Sequence, residues 1–233
     1  MFYFNPQYLL YMAPALLVML LAQWYVKSSY NKWGKVSVQS RISGAETAER
    51  LKSAGGLSHV QVKRVSGRLT DHYDPRSKVL NLSPDVYEQS SVASVAIAAH
   101  ELGHAVQDHQ DYFPLRFRTL LVPAVNIGST LGWILIMIGL VINATGIAWL
   151  GVIAFSGGTV FALATLPVEL NASARAKELL HQSGIIQNAR ERKGVNTVLN
   201  AAALTYVASL FTAVMQLLYW ISLVSGSGGR GRR

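Results

Sequence analysis

The chain has 233 residues, 51% of them hydrophobic and only 14% charged, with no cysteine and a formal net charge of +9. So small a charged fraction departs from ordinary soluble proteins, and the absence of cysteine excludes disulfides and thiolate metal ligands. The positive balance comes without a nucleic-acid recognition motif or an aromatic-basic platform. It reads as cationic residues flanking membrane segments, with the lipid bilayer rather than nucleic acid as partner.

The first apolar run, Gln7 to Val26, has about the 20 residues that a helix needs to cross a bilayer. Residues 1–26 hold no Lys or Arg, whereas a cleavable signal begins with a cationic stretch. Lys27, Lys32 and Lys35 follow directly, and Trp24 and Tyr25 stand where an interfacial aromatic belt belongs. Residues 1–26 are therefore expected to be an uncleaved anchor with its N-terminus outside.

Residues 27–118 are polar with globular texture. Ser43-Gly44-Ala45-Glu46, with Ala48, Leu51 and Gly55-Gly56 behind it, predicts a short helix with a capping box and a glycine stop. Three strands are expected, at Val60–Val65, Arg68–Tyr73 and Lys78–Leu82. Asp74-Pro75-Arg76-Ser77 joins the last two as a type I turn. Ser83-Pro84-Asp85 then opens a helix, proline being tolerated at the first helical position.

The next helix carries Ala98-Ala99-His100-Glu101-Leu102-Gly103-His104. Ser90 or Ser91 can cap it, and Val92, Val95, Ala96, Ala99 and Val106 form its apolar side. Residues four apart on a helix lie one above the other, so His100 and His104 can share one Zn²⁺. Glu101 can then act as general base on water at the metal. The bland alternative is two exposed histidines beside an ordinary glutamate, which the apolar, capped setting disfavours. Gly103 has no side chain to crowd whatever packs there.

Residues 119–166 read as a transmembrane hairpin, Thr119–Ile142 and Gly146–Leu166, turning at Asn143-Ala144-Thr145. That tripeptide matches a glycosylation sequon but lies too close to the membrane to serve as one. Residues 167–200 form a second polar stretch, 201–224 a fourth apolar run, and 225–233 a Gly/Ser/Arg-rich tail expected to be disordered. Two crossings separate the polar stretches, so both face one side, and the Lys/Arg excess makes that side the cytoplasm. Arg230, Arg232 and Arg233 run against the rule. The expected fold is an integral membrane protein, mostly α-helical with a small β-sheet. It has about four transmembrane helices and a cytoplasmic α+β zincin-like domain assembled from the two polar segments.

A catalytic zinc usually takes three protein ligands and leaves a position for water. The metzincin pattern is excluded, because Gln107 and Gln110 stand where it needs glycine and histidine. His109 lies off the ligand face. Glu169, within Pro167-Val168-Glu169-Leu170-Asn171-Ala172-Ser173-Ala174-Arg175-Ala176, sits among small residues suited to close packing. Read alone, it is equally a first-turn glutamate favoured by the helix dipole, and spacing leaves both readings open.

An HExxH helix followed, after a transmembrane hairpin, by Glu169 and its small-residue helix resembles the broad group of HtpX-like and CAAX-type prenyl proteases. The chain more closely resembles the YugP-like family of neutral zinc metallopeptidases. The likeness runs through Leu69-Thr70-Asp71-His72-Tyr73-Asp74-Pro75-Arg76, Leu80-Asn81-Leu82-Ser83, Ala99 to Ala105, and Leu166 to Ala176. It implies one zinc per chain on His100, His104 and Glu169, with Glu101 as base. It also implies a protein or peptide substrate and a multi-pass place in a bacterial-type plasma membrane. Ser173 stands where the HtpX-like pattern commonly has an aspartate that orients a histidine.

The reaction so implied is zinc-assisted peptide hydrolysis, and it calls for a further oxyanion donor. Arg175, His72 and Tyr73 are candidates, each of which could instead serve a turn or an ion pair. The strand Val79-Leu80-Asn81-Leu82 is expected to accept an extended substrate as an added strand. Two other classes stay open: a zinc-stabilised membrane scaffold, which has no use for Glu101, and an intramembrane protease, which needs an aspartate absent from the later apolar runs. A membrane partner protein or a homo-oligomer is compatible with either.

Overall fold

The computed structural model describes residues 6–228. Four of its helices are long and apolar enough to cross a membrane: α1 (Pro6–Trp33), α5 (Phe113–Val141), α6 (Thr145–Gln182) and α7 (Ala189–Gly228). Between α1 and α5 come α2 (Gly44–Ala54), β1 (Gln61–Arg64), β2 (His72–Asp74), β3 (Val79–Leu82), α3 (Pro84–Glu88) and α4 (Val92–His109). The chain divides into two compact units.

One unit takes the chain up to Ala22, Phe117–Leu166, and the chain from Thr205 onward. Leu10, Leu120 and Val141 are largely exposed on it, as lipid-facing side chains are. Its core gathers Ile136, Ala148, Val152, Tyr219, Trp220 and Val224, and small residues line the contact of α5 with α6. A Cβ added to Gly132 would lie 2.8 Å from the Gly151 carbonyl, and one on Gly139 would run into Ala148. Such residues let two apolar helices approach closely where lipid offers no hydrophobic drive to association. Asn143, at the hairpin turn, takes a left-handed φ of 56°, a conformation that asparagine tolerates. Tyr219 meets Tyr8 and Tyr11 edge-on.

The other unit combines Gln23–Arg116 with Pro167–Leu204. α2 has its capping box: the Ser43 hydroxyl accepts from Glu46 N–H, the Glu46 carboxylate accepts from Ser43 N–H, and Gly55 ends the helix. The sheet order is β1-β3-β2, with β1 parallel and β2 antiparallel to β3, in registers that include Val62↔Leu80 and Tyr73↔Leu80. The middle strand is thus Val79–Leu82, hydrogen-bonded along both edges. It has no free edge for an added strand, which corrects the expectation that substrate pairs there. The second strand is shorter than expected, because Leu69 takes a left-handed φ of 57° and the Thr70 hydroxyl donates to the Ser66 carbonyl. These close a turn in place of the strand's first residues.

Ser91 caps α4 by accepting from Ser94 N–H. The helix is sunk in the core, with Val92, Val95, Ala96, Ala99 and Leu102 all fully buried. Three boundaries differ from expectation. α5 begins at Phe113 rather than Thr119. No new helix opens at Pro167, which lies inside α6; losing one backbone N–H costs a single helical bond, which a long helix survives. Glu169 is therefore a mid-helix residue, and the first-turn reading of it falls. Finally, α7 runs on to Gly228, so the start of the tail continues the helix, and 229–233 lie outside the described residues.

Candidate metal centre

The site forms where α4 and α6 touch. A Cβ on Gly103 would lie 2.5 Å from the Ala172 carbonyl oxygen, so these backbones meet at a distance that only glycine permits. Glu169, one turn before Ala172, is thereby brought against the histidine face of α4. His100 Nε2 lies 3.3 Å from Glu169 Oε2, and His104 Nε2 lies 3.5 Å from the same oxygen. The two rings stand nearly perpendicular, with centroids 4.9 Å apart. Glu169 is 3% exposed, and His100 is buried.

The far side of each ring is also engaged. His104 Nδ1 is 3.0 Å from Gln107 Oε1, and His100 Nδ1 is 3.1 Å from the Ser173 hydroxyl. Both rings therefore turn their Nε2 atoms inward. Burial works against charge on Glu169, but the hydrogen bonds from His100 and His104, with their fields, hold its pKa well below the usual carboxylate range. For His104, burial works to lower the pKa, yet the bond to Glu169 and the nearby Glu101 and Glu169 charges raise it.

This donor set suits zinc. Two imidazole nitrogens and a carboxylate oxygen lie within 4.8 Å of one another. Zinc bonds of about 2.1 Å in a tetrahedron set ligand atoms about 3.4 Å apart, close to the 3.3 and 3.5 Å separations here.

Glu101 faces β2 and accepts a hydrogen bond from Tyr73 N–H at 3.2 Å. The same hairpin is clipped to α4 by Asp108, which accepts from the Tyr73 hydroxyl (2.7 Å) and from Lys78 Nζ (2.6 Å). Burial and Asp108 together raise the Tyr73 phenol pKa. The proposed oxyanion donors are engaged elsewhere. Arg175 donates to Asn171 (2.7 Å) and Gln110 (2.5 Å) and lies over the Tyr112 ring. His72 is held between the Thr70 carbonyl and the Asn81 amide. The geometry thus brings together His100, His104, Glu169 and Ser173, with Glu101 near His104 and against β2, while the Arg175, His72 and Tyr73 side chains make the hydrogen bonds just given. Gln107 was not foreseen as a partner of the site, although its place three residues after His104 puts it on the same helix face.

No solved structure matches the chain. A "Putative membrane protease YugP" of Bacillus subtilis (strain 168) is 43% identical over 202 residues, covering 87% of this chain and 89% of the relative. A family profile described as "Putative neutral zinc metallopeptidase" matches residues 8–225. The chain, with its apolar helices and its His-His-Glu cluster, belongs to this zinc metallopeptidase family.

Proposed function

We propose that this protein is a membrane-anchored zinc endopeptidase that holds one zinc per chain on His100, His104 and Glu169. Its site faces the cytoplasm of a bacterial-type plasma membrane, and its substrate is a protein or peptide chain. The observation that carries the reading is the convergence of both Nε2 atoms on Glu169 Oε2, at 3.3 and 3.5 Å. Zinc bound there supplies Lewis acidity, acidifying water and polarising the scissile carbonyl.

Glu101 takes the proton of the attacking water and passes it to the leaving amine nitrogen. Tyr73 N–H engages Glu101 Oε2 and leaves Oε1 to receive that proton. The Ser173 hydroxyl holds the outer nitrogen of His100, filling the place of the aspartate common in the HtpX-like pattern.

The test is zinc content and cleavage of an unfolded protein by detergent-purified chain, wild type beside Glu169→Ala and Glu101→Gln. Wild type is expected to hold about one zinc and Glu169→Ala to lose it. Glu101→Gln is expected to keep the metal while cleaving roughly 10²- to 10⁴-fold more slowly. Full zinc in Glu169→Ala would overturn the ligand assignment, and undiminished cleavage by Glu101→Gln would remove the base.

A further inference from the structure

We infer that Gln107 is a positioning residue that selects the metal-binding tautomer of His104. The inference rests on the zinc reading above, but its own support is a hydrogen-bond chain whose polarity has one solution.

The chain starts at Arg175, whose guanidinium can only donate. Arg175 Nε lies 2.7 Å from the Asn171 side-chain atom assigned as Oδ1, so that atom is the acceptor. Gln107 Nε2 lies 2.9 Å from this same oxygen and 2.8 Å from the Val168 carbonyl. Two acceptors can be met only by the NH₂ end of the amide, so the glutamine cannot be turned over. Its oxygen therefore faces His104 Nδ1, 3.0 Å away. An oxygen there requires a hydrogen on Nδ1. In the neutral ring the lone pair then belongs to Nε2, the atom that faces Glu169.

Burial makes this arrangement compulsory. Gln107 is 0% exposed, so no water takes over for a missing partner, and turning the amide would set oxygen against oxygen. Its two acceptors come from Val168 and Asn171, which flank Glu169 on α6. The two bonds to α6 thus keep the amide from turning, and its oxygen sets the ring of His104. His100 is held differently. The Ser173 hydroxyl can rotate to donate or accept, so it imposes no tautomer of its own.

The experiment uses the full chain in detergent and measures Zn²⁺ affinity by competition with a chromophoric chelator, alongside the thermal midpoint of the metal-free protein. Gln107→Met keeps the length and removes every hydrogen bond; Gln107→Glu keeps an acceptor towards His104 and loses both donors. Val106→Ala, a buried apolar truncation next door, is the packing control. Gln107→Met is expected to weaken Zn²⁺ binding about 10- to 100-fold. Gln107→Glu is expected to restore most of that affinity despite a lowered midpoint, and Val106→Ala to lower the midpoint with affinity unchanged.

Wild-type affinity in Gln107→Met would overturn the inference. Equal losses in Gln107→Met and Gln107→Glu would overturn it too, because the acceptor would then be irrelevant. A wild-type chain that binds no zinc would instead bring down the zinc reading on which the inference stands.

Discussion

Glu169 and His104 pull each other's protonation in opposite directions, and in the metal-free protein this gives a pH signature. The Glu169 pKa is depressed below its ordinary 4.5, so its contribution to stability is present above about pH 4.5 and lost as pH falls through the folded value. The His104 pKa is raised above 6.5, so its contribution is present below about pH 6.5 and lost as pH rises through the folded value. Both hold between those limits, and there the chelator-treated protein is expected to gain most from the pair. Zinc needs unprotonated histidine, so the rise in thermal midpoint on adding it should be larger near pH 7.5 than near pH 5.5. An equal rise at both values would mean that these groups do not hold the metal. The pairing of His100 with His104 was legible because four-residue helical spacing is a local rule. Gln107 obeys the same local rule, three residues after His104, but only the approach of α6 shows which end of its amide faces the ring.

At the scale of elements, the contact of α4 with α6 depends on one missing side chain. Gly103→Ala would drive a methyl group against the Ala172 carbonyl and force the two helices apart. The expected cost is about 1–3 kcal/mol, with loss of bound zinc, read from the thermal midpoint and metal content. Gly146→Ala, which meets nothing within 4 Å, is the matched control and should retain both. If Gly103→Ala keeps wild-type zinc, the close approach is not what assembles the site. The long apolar runs, the Ser43 and Ser91 caps and the Asp74–Ser77 turn were all readable, because each rests on neighbours in the chain. Strand order rests on partners far away. Val79-Leu80-Asn81-Leu82 did hold a clue, for three apolar residues in four, all buried, fit a strand covered on both sides better than an edge. Pro167 misled in the other direction, since a residue that opens many helices sits inside this one.

For the whole molecule, orientation can be tested because the chain has no cysteine of its own. Lys63→Cys, on exposed β1, should resist a membrane-impermeant maleimide in intact cells, whereas Gly146→Cys, at the hairpin turn, should react. The reverse pattern would place the zinc site outside the cytoplasm. The gathering of two polar stretches was foreshadowed by where the charges lie, since Gln23–Arg116 and Pro167–Leu204 form one compact unit. What charge could not convey is how closely the two stretches fit. Chain order adds a consequence for biogenesis. His100 and His104 are made before α5, and Glu169 only in the second half of α6. With zinc held as proposed, a nascent chain that lacks the second half of α6 would offer two of the three ligands, too few for the site. On the proposed function, cleavage would therefore wait until α6 lies against α4, and completing the chain would do the work that a propeptide does in soluble proteases.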